Sequence, residues 1–416
     1  MFELSVEPLE NIGKARLTIR VGGQYVTENE DFLDEHRVKR SLIMDPIPWV
    51  EWVAANWWRL RWEGEHHGSP TVDWRMSHCL SGAAGGIVWP HVCMHSDGEA
   101  IFLRAKPTRG ENAALRFLNA AEGWVDAEAF EQALDASVTQ TLQMIPEDHP
   151  AKALWADVMA ERADPETALW RRLEARMGFD PDEGPESLIQ RLISAGARFG
   201  EQAMEELAAD SSTEMPAMLE ELGDAISTSH LPVMSLEDLH GIEPPTRLHA
   251  ANRPPWQSGV DMATQVRTCL GMGNDPVTDR RLSELLHLPE DILTTEGPRL
   301  PKYDWNAGLR RDSGILVNLS SHRHTGRRFG LARLLGDALA FDKSEKLLPS
   351  TRARTARQKY QRAFAQSLLC PYEALIEWMD TDAPDDDQIE AAAEHFQVST
   401  RVVEHTLENY CSTSYH

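Results

Sequence analysis

In the segment "ARLTIRV" the apolar residues Leu17, Ile19 and Val21 alternate with Arg16, Thr18 and Arg20, which predicts a strand with one face buried. Gly22-Gly23 follows it and allows a tight turn into a second strand, "QYVT". The runs "GGIVWPHVCMH" and "EAIFLRAK" flank Ser96-Asp97-Gly98 and predict another hairpin, while "PWVEWVAANWWRLRW" between the two pairs reads as a helix. From residue 111 the spacing turns helical, in "AEAFEQALDASVTQTLQMI", "ETALWRRLEARMGF" and "ESLIQRLISAGARFGEQAMEELAA". "DPDEGPES" breaks one helix and starts the next. Beyond Ser258 come helices "VDMATQVRTCLGMG" and "TDRRLSELLHL", a strand "SGILVNLS", a helix "RRFGLARLLGDALAF", and a helical remainder from "ARTARQKYQRAF" to "VVEHTLENY".

These patterns predict an α+β multidomain chain. Residues 1–110 form a Trp-rich mixed α+β domain and 111–240 an acidic helical region. Residues 241–257 form a Pro-rich linker, and 258–416 a mostly helical C-terminal domain. A chain of 416 residues exceeds what one core usually serves.

Charge and composition narrow the function. The net charge of −25 argues against broad nucleic-acid affinity, yet −19 of it lies in residues 111–240, so it says little about either end. That acid excess reads as a solvated helical face, or alternatively as a surface for a basic partner. Seven of the 13 tryptophans fall between Trp49 and Trp89, an aromatic core or, alternatively, a stacking surface for bases or sugars. Five scattered cysteines suit a reducing compartment. No apolar run approaches the roughly 20 residues that cross a bilayer, and "MFELSVEPLENIG" lacks the pattern of a signal peptide. The expectation is a cytoplasmic protein without membrane contact.

The C-terminal helix carries the candidate chemistry. Leu331, Leu334, Leu335, Ala338 and Leu339 fall on one face, a buried stripe. Arg333 and Asp337 are four apart and share another face, the spacing at which H-E-x-x-H puts two ligands on one metal. The segment "RRFGLARLLGD", with "RAFAQSLLCP" and "DDDQIEAAAEHFQVSTRVVEHTL" in that order, resembles the ImmA/IrrE family of bacterial zinc metallopeptidases. The resemblance does not reach residues 1–240. It implies a peptidase-type fold whose helix holds zinc through two histidines, with a glutamate as base and a third, acidic ligand ahead of Phe364. Here Arg333, Leu334 and Asp337 stand at the His, Glu and His positions, and 351–364 contains no acid. The expectation is a fold kept and a catalytic apparatus lost, with no catalytic residue, metal or cofactor. Arg333 and Asp337 would pair with each other, either buried in the metal's place or as an ordinary exposed pair.

Between Arg310 and Arg362 stand 13 Lys/Arg against 4 Asp/Glu, and between Glu373 and Glu394 nine acids and no base. The two surfaces either neutralise each other or leave a basic patch for an anion or nucleic acid. On the second reading Arg327, Arg328, Arg333, Arg352, Arg354 and Arg357 rim the old substrate groove, and His322 and His324 are the nearby residues a peptidase would recruit. The closing helix pair, with one Arg and two Glu in "TRVVEHTLEN", makes a poor groove reader. In the N-terminal region His78, Cys79, His91, Cys93 and His95, with His66-His67 nearby, form a candidate structural zinc cluster. A strand would put residues 91 and 95 about 13 Å apart, so one metal takes at most two of 91, 93 and 95. No phosphate-binding glycine loop, dinucleotide fingerprint or nucleophile elbow is present.

The resemblance implies a catalytically inactive, metallopeptidase-like regulator with a protein partner, in a bacterial stress, toxin–antitoxin or phage-defence pathway. The alternatives are a nucleic-acid-binding regulator using the 310–362 patch, and a zinc peptidase with nonstandard ligands.

Overall fold

The alternating segment becomes β2 (Lys14–Val21), flanked on one side by β1 (Phe2–Leu9) and on the other by β3 (Gln24–Tyr25) and β6 (Leu42–Met44), all antiparallel. In this computed structural model every residue is described except 1, 10–12, 33–36, 66–67, 111–112, 211–229, 298, 300–304, 342, 380, 382–383 and 414–416, and the side chains of 409–413. The described residues form a mixed α/β architecture of 14 α-helices and 14 strands in four antiparallel sheets. The chain divides into two compact units, residues 1–189 with 249–252, and 190–248 with 253–416. Segment 111–240 is thus shared between the units.

In the first unit a second sheet runs β5 (Arg37–Lys39), β4 (Asn29–Asp31), β9 (Leu115–Phe117), and a third runs β10 (Ala121–Asp126), β8 (Ala100–Lys106), β7 (His91–Ser96). Helix α1 (Pro46–Trp62) is the centre of this core. Asp45 caps its N-terminus by accepting from the Ile47 N–H (2.9 Å), and Pro46 opens its first turn. It is apolar on nearly every side, so it is buried all round by α3 (Ala127–Leu142), α4 (Pro150–Ala163) and α5 (Pro165–Arg176). Trp49, Trp52, Trp57, Trp58 and Trp89 are all in that core, each contributing roughly 3–5 kcal/mol on the scale of large-to-Ala losses. For these five the tryptophan run is packing, not a stacking surface.

The second unit holds the sheet β11 (Val233–Met234), β13 (Gly314–Asn318), β12 (Asn306–Arg311), β14 (Leu347–Ser350), in that order. Over it lies α10 (His324–Ala340). Helix α11 (Ala356–Leu369) packs along both α10 and α8 (Pro255–Cys269). Helices α9 (Asp279–Leu285), α12 (Tyr372–Met379), α13 (Asp386–Phe396) and α14 (Thr400–Thr413) complete it, together with α7 (Glu201–Asp210), which packs against β14. The predicted stripe of Leu331, Leu334, Leu335 and Ala338 is in the core as read. Gly336 lets α11 approach: a Cβ there would lie 2.6 Å from the Phe364 ring.

Candidate functional site

Helix α10 is buried along its charged face as well as its apolar one. Arg327 and Arg328 are fully enclosed, which no rule of hydrophobic spacing anticipates. Arg327 donates from Nε to Ile292 O (2.6 Å) and from Nη1 to Leu319 O (2.8 Å). Arg328 donates to Gln397 O (2.9 Å), Val277 O and the Asp279 carboxylate. Asp279 also accepts from His324 Nε2 at 2.6 Å. Its burial alone would raise its carboxyl, but the bonds from His324 and Arg328 outweigh that and hold it below its ordinary value. Arg327 and Arg328 are therefore staples that fix the start of α10, not rim residues for an external anion.

Two turns further on, the motif positions are filled by internal partners from α11. Asp337, with no exposed surface, accepts a two-pronged fork from Arg357: Nε to Oδ1 at 2.8 Å and Nη2 to Oδ2 at 2.6 Å. The same guanidinium lies 4.0 Å over the Phe341 ring and has Nη1 3.9 Å from Glu345 Oε2. Arg333 turns the other way: its Nη2 donates to Thr351 O (2.9 Å), Gln358 Oε1 (2.5 Å) and Gln361 Oε1 (3.2 Å). Both glutamines in turn donate to Pro349 O on β14, at 3.1 and 3.0 Å. The expected Arg333–Asp337 pair is thus not formed. An Arg four residues before an Asp is the less favourable order on a helix, and Arg357 reaches the carboxylate with better geometry from the facing helix. Burial pushes Arg333 down to about 9, with Arg362 adding to the fall and Asp337, Asp210 and Glu206 opposing it. Its Nε is buried without a partner.

Helix α7 closes this region from the side of β14. The Glu345 carboxylate accepts from the first free N–H groups of α7, at Ala203 (3.0 Å) and Gln202 (3.4 Å), where the helix dipole favours a negative charge. Gly200 permits that contact, since its φ is +108° and a Cβ there would lie 2.4 Å from Glu345 Oε2. Further along α7, Glu206 accepts from Thr355 Oγ1 (2.5 Å) and Asp210 from the Arg352 N–H (2.9 Å). Two acids of the middle block therefore face the basic start of α11. Arg328 and Arg357 take Asp279 and Asp337, not the acids of 373–394.

These residues do not fit zinc. A zinc site needs three or four N, O or S donors. Arg333 offers none, Leu334 is fully buried in the core, and both oxygens of Asp337 are engaged by Arg357. His324 cannot join Asp337, because 13 residues of helix separate them by about 20 Å and its ring is held by Asp279. His322 lies exposed in the loop before α10. Gln358, Gln361, Thr351 and Glu345 complete the network and were not singled out from sequence. Their signal was local: Arg357, Gln358 and Gln361 share one side of a helix, but which helix that side meets is not a local property.

The described residues of the N-terminal cluster do not gather around a metal either. Cys79, at the end of the helix Val72–His78, and Cys93 of β7 form a disulfide across an isolated antiparallel bridge, which also corrects the expectation of reduced thiols. Both ring nitrogens of buried His78 are used, Nδ1 with Met94 O (2.8 Å) and Nε2 with Glu63 (2.9 Å). His91, Cys93 and His95 do share one face of β7, as alternation predicts. His66 and His67 lie outside the described residues. Among the described residues no three His, Cys, Asp or Glu side chains gather as a metal site.

Helix α10, with Arg333 and Asp337 four residues apart, thus packs between the β11–β14 sheet and α11. Residues 299–408 match the family model described as the IrrE N-terminal-like domain. No curated protein and no solved structure matches the chain. Among the described residues no helix is long and apolar enough to cross a membrane.

Proposed function

We propose that the C-terminal unit is a metallopeptidase-like module that binds without cutting and serves as a protein-recognising regulator of the stress, toxin–antitoxin or phage-defence kind. The observation that carries this reading is the Arg357 fork on Asp337, with Arg333 tied to Gln358 and Gln361 beside it. Each group that stands where a ligand would be is committed to a neighbour, and no group at the glutamate position can take a proton from water. Helix α7 lies against β14, so recognition uses the outer surface of the unit, not an open cleft along that strand.

The test is metal content of the purified full chain by elemental mass spectrometry after a mild chelator wash, alongside cleavage of an unstructured protein such as casein. Substoichiometric metal and no chelator-sensitive cleavage are expected. One zinc per chain that disappears in Asp337→Ala, or cleavage abolished by that substitution, would overturn the reading.

A further inference from the structure

The β7–β8 hairpin of the N-terminal unit has one committed face and one open face. The register His91↔Lys106, Cys93↔Arg104 and His95↔Phe102 puts these six on the same side, while Val92, Met94, Ile101, Leu103 and Ala105 enter the core. A cavity of about 660 Å³ opens over the first side, walled by Trp74 and Arg75 of α2 (Val72–His78) and by Arg109 beyond β8. That volume lies within the range of roughly 300–1,000 Å³ typical of small-molecule sites.

The chemistry of the lining is sorted along the hairpin. At one end the Phe102 ring, half-buried, sits among other rings, with His95 at 5.2 Å and Trp124 at 5.1 Å between centroids. At the other end Lys106 and Arg109 are exposed, and Arg75 is exposed on the α2 wall; none of the three has an ion-pair partner among the described residues. Arg104 lies with its guanidinium 5.1 Å over the Phe102 ring and is shared with Glu122 at 3.1 Å. Glu65 is the one acid among the lining residues. In a chain of net charge −25, such a concentration of cations around one concavity marks a place where negative charge arrives from outside. Phe102 and Lys106 are four residues apart on one strand, about 13 Å, a span that a nucleoside polyphosphate covers from ring to phosphate.

We propose that this cavity binds a nucleotide: its planar base stacks at Phe102 and His95, and its phosphates are held by Lys106 and Arg109, with Arg75 on the α2 wall adding positive charge. The ligand is either a free nucleotide or the end of a single strand, which share this chemistry. The disulfide between Cys79 and Cys93 fixes the wall between the two ends, joining the turn after α2 to β7.

The experiment is calorimetric titration of the full chain with ATP, adenosine, inorganic pyrophosphate and a short oligothymidylate, together with the variants Lys106→Glu/Arg109→Glu and Phe102→Ala. ATP should bind at least about tenfold more tightly than adenosine, and the charge-reversal variant should lose at least about tenfold in ATP affinity. Phe102→Ala should weaken ATP and leave pyrophosphate unchanged. Oligothymidylate binding tighter than ATP assigns the site to a strand end, and the reverse order to a free nucleotide. As a second measurement, 8-azido-ATP should photolabel a peptide from residues 91–109. No ATP or oligothymidylate binding at millimolar concentration, binding unaltered by charge reversal, or labelling elsewhere would overturn the proposal. Both charge-reversed positions are exposed, so the variant is expected to fold, with circular dichroism as the check.

Discussion

Replacing Arg357 by Ala removes the fork that neutralises Asp337, a carboxylate with no exposed surface, and leaves the charge enclosed between α10 and α11. Breaking a buried pair from one side costs about 3–5 kcal/mol, far more than the roughly 0–1 kcal/mol of an exposed pair. Glu345, only 3.9 Å from Arg357, would then face Asp337 without an intervening cation, which keeps the loss toward the upper end. The double replacement Asp337→Leu/Arg357→Met keeps the volume and removes both charges, so it should recover most of that loss or exceed the parent. Urea unfolding, combined with hydrogen exchange of α10 amides to isolate the second unit, measures both steps. A loss below about 1 kcal/mol for Arg357→Ala would refute the buried fork. So would single and double substitutions whose effects simply add.

Gly336→Ala should destabilise the same unit by about 1–3 kcal/mol, because its Cβ meets the Phe364 ring at 2.6 Å, and Phe364→Leu should relieve part of it in the same urea assay. Asp279→Asn tests the staple at the start of α10. A carboxyl held below its ordinary 3.8 adds stability above that pH and loses it as pH falls through the depressed value, so the melting-temperature gap between parent and variant should be full at neutral pH and close in acid. A gap that persists below the depressed value would refute it. Reduction of Cys79–Cys93, which closes a loop with a sequence separation of 14, should lower the stability of the first unit by up to about 3 kcal/mol. Thiol titration should find the exposed Cys269 in the folded protein and buried Cys370 only on unfolding, and the Cys79 and Cys93 thiols should add two to the count only with reductant, the side chain of the fifth cysteine, Cys411, lying outside the described residues.

Much of the secondary structure follows from short-range pattern. β2, the β7–β8 hairpin, α1 and the apolar stripe of α10 are each stated by periodicity, because the side facing the core is set by residues two, three or four positions apart. Short strands such as β4, β9 and β14 carry too few residues to show a period. That Arg333 and Leu334 are no zinc ligands is also legible, since a guanidinium or a leucine cannot coordinate zinc whatever surrounds it.

Partnership is a different matter. The spacing of Arg333 and Asp337 suggests that they pair, yet each is claimed by residues 20 to 28 positions away, on a helix whose approach depends on Gly336 and Phe364. Arg327 and Arg328 read as surface charge because sequence shows a cation but not the backbone carbonyls folded around it. Cys79 and Cys93 read as scattered thiols because the strand pairing that joins them is made by the fold. Sequence by itself determined which side chains can do chemistry and which faces must be buried, both local properties. Only the tertiary structure decided which charge meets which, because a buried ion is tolerated only where distant segments bring it a partner.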